Sequence, residues 1–269
     1  MNSRHLFICT TCGAAYDHEL YGLCKICTDD RQYVLEAGQS WSCLDKMQSR
    51  FSISVDILTD SIFSLKVVPQ FAIGQRALLV MSPSGNILWD CLPFIDQSTI
   101  DFIDSKGGIK GIAISHPHFY GLMEEYAAIF DCPVFLHASD QQWIMSARST
   151  AITLWEGIEL ELWDNIKIIN TGGHFPGSCI LSHPRFGDSG TLLTSDSIYV
   201  SRDRNQVTCM HSYPNLIPLS ADAVQKIIDR VMPLKFDRIY GGFDFMNIES
   251  NAKSIFERSM KNYLEIVDG

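Results

Sequence analysis

Four cysteines open the chain as two pairs, Cys9-Thr-Thr-Cys12 and Cys24-Lys-Ile-Cys27, with eleven residues between them. A C-x-x-C turn brings two thiolates to one side of a knuckle, and two knuckles this close in sequence close around one tetrahedral ion. The pattern predicts a zinc ribbon in which zinc–thiolate bonding supplies the folding free energy that so short a segment lacks. Cys9, Cys12, Cys24 and Cys27 fill all four positions, so this ion has no open site and its role is structural or partner-binding. Neither pair stands in the strand-to-helix context of dithiol redox chemistry. His5 and His18 flank the pairs without completing a better ligand set. Cys43, Cys91, Cys132, Cys179 and Cys209 lie mostly in apolar surroundings at no ligand spacing, and read as small buried hydrophobes.

A second donor set is spread along the chain. His116-Pro117-His118 directly follows the apolar run Ile112 to Ser115. In an extended segment alternate residues point the same way, so two imidazoles one residue apart reach a common ion just past a strand end. Gly172-Gly173-His174-Phe-Pro-Gly177-Ser178 places a third histidine in a glycine-rich loop, where backbone can approach a metal closely. Thr191 to Thr194 then ends in Ser195-Asp196, an acid after another apolar run. His137 and His211 are read as structural histidines, with a place in the lining of the same cleft as the alternative, and His183 as a loop residue.

The elements that must position these donors follow from periodicity. Apolar runs of strand length occur at Ala77 to Met81, Ile87 to Trp89, Gly111 to Ile114 and Val134 to Leu136. Helices are predicted over Ser98 to Ser105, Phe119 to Phe130, Ser139 to Ala147, Ala221 to Val231 and Asn251 to Leu264. In the fourth, Ala223, Val224, Ile227, Ile228 and Val231 recur at helical spacing after a capping Ser220. Strands in both halves with helices between them indicate a mixed α/β layered domain. The expected organisation is a zinc-ribbon module at 1–36, a linker at 37–50 and a main domain at 51–269.

Composition narrows the function classes. The formal charge of −10 opposes a broad grip on phosphate backbones, which argues against nucleic acid as a partner. The apolar patch Leu6 to Ile8 is far shorter than the roughly 7 to 15 residues of a signal-peptide core, so a cytoplasmic location is expected. No run approaches the ~18 apolar residues of a membrane-spanning helix.

The ordered set Asp90, His116, His118, His174 and Asp196 resembles the metallo-β-lactamase superfamily. That family carries a strand-end H-x-H-x-D-H motif, a G-G-H-x-x-G-S loop, an apolar strand ending in Asp, and a late histidine. Gly85-Asn-Ile-Leu-Trp-Asp90 is similar to its early strand and Asp. The resemblance covers about Phe51 to Gly269. It implies an αββα four-layer sandwich with helices outside two facing sheets and a metal cleft at one sheet edge.

The match breaks at the second metal. The motif's later Asp and His fall on Tyr120 and Gly121, and the late histidine should lie within Ile239-Tyr-Gly-Gly-Phe243, which contains none. What remains is His116, His118 and His174 with Asp196, a set suited to Zn2+ or Fe2+. If all four bind, a tetrahedral zinc is closed and structural; if Asp196 stays one shell out, a water takes the fourth position and ionises near neutral pH, with Asp196 as proton acceptor and Tyr120 as a hydrogen-bond donor to substrate or a packing residue.

The leading expectation is a hydrolase with one cleft metal, acting on a small ester, thioester, lactone or phosphoester. The alternative is a non-hydrolytic binding or regulatory protein that keeps the fold and one metal, its ribbon contacting a protein partner or a second subunit. A two-metal clamp holds its ions roughly 3.5 to 4 Å apart and needs several ligands for each. Elemental analysis of the purified chain is therefore expected to give two tightly bound metals, one in the ribbon and one in the cleft. A count of three would restore a two-metal centre.

Overall fold

Asp96 ends an extended segment and starts a helix. Its Oδ1 accepts hydrogen bonds from the Thr99 amide at 2.8 Å and the Thr99 hydroxyl at 2.7 Å, capping the helix Gln97–Ser105. Its Oδ2 accepts from the Ile53 amide at 2.9 Å and so ties that helix to the first long strand. Ser220 acts likewise on Ala221–Val231, accepting from the Ala223 amide, and that helix has the bounds its periodicity predicts.

The computed structural model describes residues 6–17, 22–145, 150–184 and 189–267. The chain forms two compact units, Met1–Leu136 with Gln141–Leu154, and His137–Asp140 with Trp155–Gly269. His5 and His18 lie outside the described residues.

In the first unit β1 (Phe7–Cys9) pairs antiparallel with β2 (Ala15–Tyr16) and β3 (Trp41–Ser42). A short helix α1 (Leu44–Gln48) follows. Then β4 (Ser52–Thr59), β5 (Ile62–Val68), β6 (Arg76–Val80) and β7 (Ile87–Trp89) run as an antiparallel meander. From β7 the chain crosses through α2 (Gln97–Ser105) to β8 (Gly111–Ala113), and through α3 (Met123–Phe130) to β9 (Val134–His137). These strands are parallel, as helical crossovers require. With β10 (Ile152–Trp155) the sheet has the order β10-β9-β8-β7-β6-β5-β4.

The predicted helix from Phe119 starts late. Pro117–Phe119 is a single 3-10 turn, Gly121 takes a left-handed φ of +47°, and α3 begins at Met123. The predicted Ser139–Ala147 helix is a 3-10 segment over Ala138–Trp143, and its residues 146 and 147 are outside the described set.

The second unit contains β11 (Glu159–Glu161), β12 (Lys167–Asn170), β13 (Cys179–His183) and β14 (Thr191–Ser195). Two small ribbons follow, β15 (Tyr199–Val200) with β16 (Val207–Thr208), and β17 (Met210–Ser212) with β18 (Ile217–Pro218). The chain ends with α4 (Ala221–Val231), β19 (Arg238–Gly241), β20 (Asn247–Ile248) and α5 (Ala252–Val267). The sheet order is β11-β12-β13-β14-β19-β20, antiparallel except between β14 and β19. Val224, Ile227 and Val231 of α4 pack with Ile180, Leu192 and Phe256 in its core. Each fully buried aliphatic side chain there stabilises the unit by about 1.5–3 kcal/mol. Among the described residues no helix is long and apolar enough to cross a membrane.

Burial opposes ionisation of Asp96, yet its hydrogen bonds from Thr99, Ile53 and Ser98 outweigh it and hold the carboxyl below its ordinary value. A depressed folded-state pKa gives stability that is present above the unfolded value of about 3.9 and lost as pH falls through the folded one. Asp96→Ala is expected to cost about 1 kcal/mol in urea unfolding at neutral pH. The gap from wild type should narrow as pH falls below about 3.9. A constant gap across that range would remove the ionised carboxylate from the account.

Candidate metal centres

The two cysteine knuckles are built by tight turns. After β1 the Gly13 amide donates to the Cys9 carbonyl at 2.9 Å, with Gly13 at φ +83°, and the Thr28 amide donates to the Cys24 carbonyl at 3.0 Å. The four sulfurs converge within 4.8 Å of one another and all four residues are buried. Cys9 Sγ lies 3.6 Å from Cys27 Sγ, and Cys12 Sγ 3.5 Å from Cys24 Sγ. Zinc–sulfur bonds of about 2.3 Å in a tetrahedron require sulfur–sulfur edges of roughly 3.8 Å, so the set fits that ion.

Burial pushes the Cys12 thiol up, while hydrogen bonding with Cys12 holds Cys9 down. Thiols this close cannot all ionise unless a cation neutralises them. Outside the four sulfurs, Gln39 Nε2 donates to Cys9 Sγ at 2.9 Å and its Oε1 accepts from the Cys24 amide at 3.1 Å. The Tyr16 hydroxyl accepts from the Lys25 amide at 3.0 Å and lies 3.3 Å from Cys24 Sγ. Sequence reasoning missed both supports, because neither Gln39 nor Tyr16 belongs to the C-x-x-C pattern.

The first unit also carries the histidine pair. Just past β7, Asp90 adopts a left-handed φ of +65° and donates its amide to the Ala113 carbonyl at 2.9 Å. Its Oδ1 accepts from the Ser115 amide at 2.8 Å, and Ser115 Oγ lies 2.8 Å from His116 Nδ1. Asp90 thus fixes the segment that orients His116. The expected extended geometry does not hold beyond His116: Pro117 starts the 3-10 turn, and His118 is presented from that turn. The two buried rings still meet, with centroids 5.1 Å apart.

Tyr120 lies in the same turn region. It lines a small pocket with Leu6, Ala15 and Ile26 of the ribbon and with Trp143. At Gly121 a Cβ would stand 2.5 Å from the Leu92 carbonyl oxygen.

The second unit carries His174 and Asp196. Gly172 and Gly173 have φ of +64° and +84°, and a Cβ on Gly173 would meet Ile227 and Leu219 side chains at 3.0 Å. The loop is pinned where Phe175 N donates to Ser178 Oγ at 2.8 Å and Gly177 N donates to Asp140 Oδ1 at 2.8 Å. His174 Nδ1 lies 2.8 Å from the His211 carbonyl oxygen and 3.2 Å from that of Met210. A carbonyl only accepts, so Nδ1 carries the proton and Nε2 keeps its lone pair for a ligand. Nε2 is 4.0 Å from Asp196 Oδ2. Asp196 follows Ser195, a left-handed residue at φ +47° where β14 shifts register against β19.

His211 therefore serves through its backbone. His137 is structural as expected: Nδ1 accepts from the Ser139 amide at 3.2 Å and Nε2 donates to the Gly157 carbonyl at 3.0 Å. His183 ends β13 opposite Thr191. In the segment Ile239 to Phe243, Gly241 has no room for a side chain, since its Cβ would meet Met246 at 2.7 Å.

These strand-end and loop donors belong to a fold seen in known structures. The DIM-1 metallo-β-lactamase is similar with a TM-score of 0.58 and 13% identity, over 81% of this chain and 99% of that one. The SMB-1 metallo-β-lactamase in complex with mercaptoacetic acid gives 0.54 and 16%, over 80% and 95%. The chemotaxis sensor ODP, solved as a peroxy diiron species, gives 0.54 and 14%, over 81% and 94%. The chain has the metallo-β-lactamase fold. No family model matches it. It is 38% identical over 268 residues to the uncharacterized protein YmaE of Bacillus subtilis (strain 168), with 97% of each chain covered, and it belongs to the family of that protein.

Gly121→Ala is expected to destabilise the chain by about 2 kcal/mol or more, because it combines a left-handed φ with a backbone clash. Thermal and urea unfolding check this. Wild-type stability in the variant would show that Leu92 yields and that the position tolerates a side chain.

Proposed function

We propose that this chain is a metal-dependent hydrolase with a mononuclear centre held by His116, His118 and His174, with Asp196 one shell out as proton acceptor, acting on a small ester, thioester, lactone or phosphoester. The observation that carries the reading is the pair of buried donors in each unit: the His116 and His118 rings have centroids 5.1 Å apart in the first, and His174 Nε2 lies 4.0 Å from Asp196 Oδ2 in the second. Three imidazoles and a carboxylate suit Zn2+ or Fe2+. A divalent ion there would supply Lewis-acid polarisation of the carbonyl or phosphoryl oxygen and acidify a water.

The chain's own residues do the rest. The His211 carbonyl holds His174 in the ligand tautomer, and Ser115 with Asp90 orients His116. Asp196 takes the proton that the attacking water sheds and returns it to the leaving oxygen or sulfur as the scissile bond breaks. Tyr120, walled by ribbon residues, is assigned to packing.

The mononuclear reading is supported by Gly121 and Gly241, where the neighbours of each Cβ position leave no space for a further ligand. The same two glycines favour the second reading, a binding protein that keeps the fold and one ion without turnover.

His118→Ala is expected to remove the non-ribbon metal and all turnover, whereas Asp196→Asn should keep part of that metal and lose about 10²- to 10⁴-fold in kcat. Elemental analysis and a panel of ester, thioester, lactone and phosphodiester substrates decide it. One non-ribbon metal with no turnover across the panel would overturn the hydrolase reading and leave the binding protein.

A further inference from the structure

Aromatic rings in the second unit run outward from His174 in unbroken contact. The Tyr213 ring is 5.6 Å from that of His174, and its hydroxyl donates to the Asp196 carbonyl at 2.8 Å. Tyr199 stacks on Tyr213 with centroids 4.7 Å apart and planes 28° from parallel. Phe245 meets Tyr199 at 5.9 Å, and the Arg202 guanidinium lies 3.8 Å above the Phe245 ring. The three rings are half-buried and Arg202 is exposed. The path thus begins beside two proposed metal-site residues and ends at a cation reachable from water.

Three features of this array point to a ligand. Half-buried aromatic faces gain from stacking with a flat apolar body. A guanidinium resting on a ring is pre-organised and still presents its planar fork of donors to a carboxylate or phosphate. Arg202 places an exposed cation at the end of the aromatic path. The carboxylate next to it in sequence, Asp203, is engaged by the Ser201 hydroxyl and the Asn205 amide within its own turn.

We propose that Tyr213, Tyr199, Phe245 and Arg202 form the substrate platform of the hydrolase, selecting an ester or thioester whose flat, aromatic-like group ends in a carboxylate or phosphate. The inference rests on the hydrolase reading for the reaction, and on the ring path alone for binding. The rings hold the body, the guanidinium holds the anionic end, and the scissile bond is left beside His174 and Asp196.

The test uses the metal-loaded full chain with two probes of turnover and two of binding. For turnover, 4-carboxyphenyl acetate and phenyl acetate are compared in wild type and Arg202→Gln. The ratio of their kcat/KM values should fall about tenfold in the variant, a comparison in which the leaving-group difference cancels. Neutralising exposed Lys261 by Lys261→Gln should leave the ratio unchanged. For binding, naphthalene-2-carboxylate and neutral 2-naphthol are titrated calorimetrically. The carboxylate should bind more tightly to wild type and lose about tenfold in Arg202→Gln, and Phe245→Leu should weaken both ligands.

Turnover with a ratio that Arg202→Gln does not move, together with carboxylate binding independent of Arg202, would overturn the platform and leave the hydrolase standing. Arg202-dependent carboxylate binding without turnover of either ester would sustain the platform and count against hydrolysis. Circular dichroism and unfolding midpoints matching wild type confirm that each variant is folded.

Discussion

Titratable donors buried away from water constrain everything else in this chain. Four cysteines, three histidines and Asp196 are almost fully buried. A thiolate or carboxylate in such surroundings is strongly disfavoured unless a cation or several hydrogen bonds meet it. For the four cysteines, whose sulfurs lie within 4.8 Å of one another in the first unit, a tetrahedral cation meets that need, and the turns around them hold the sulfurs together. Cys91, Cys132 and Cys209 show the contrast. Burial pushes their thiols up, to about 11 for Cys132 and about 12 for Cys209, and they stay neutral packing residues.

Holding donors at strand ends uses backbone that regular structure does not supply. Asp90, just past β7, and Ser195, at the end of β14, each sit in the left-handed region, which is costly for residues with a side chain. Each turns the chain just before a residue of the site or its support: Asp90 to grip the Ser115 amide, Ser195 to present Asp196. Such strain persists only where neighbours over-determine it. Hydrogen bonds to Asp90 do so on one side, and the register shift of β14 against β19 accompanies it on the other.

The donors themselves were legible because their chemistry is local to the sequence: two C-x-x-C pairs, His-Pro-His after an apolar run, and a glycine-flanked histidine. The helix Ala221–Val231 was legible for a similar reason, since Ser220 and a clean apolar stripe define both ends. The outer supports were hidden. Gln39 reaches Cys9 and Cys24 across the small sheet, and the carbonyls of Met210 and His211 reach His174 from a separate hairpin. No spacing rule reports a contact made through a backbone carbonyl thirty-seven residues away. The extended reading of His116 to His118 failed because Pro117 favours the start of a helical turn as readily as it stiffens a strand.

The two glycines carry a further step. A missing ligand at Gly121 or in the Ile239–Phe243 segment is, in sequence, only an absence that a neighbouring side chain might repair. In the fold it is a packed contact, since the Leu92 carbonyl and Met246 occupy the space where a Cβ would begin. A side chain therefore cannot stand at Gly121 or Gly241 without displacing backbone at Leu92 or the packing around Met246. Gly121 follows the turn that carries His118, and Gly241 ends β19, so each contact belongs to an element that its own unit needs.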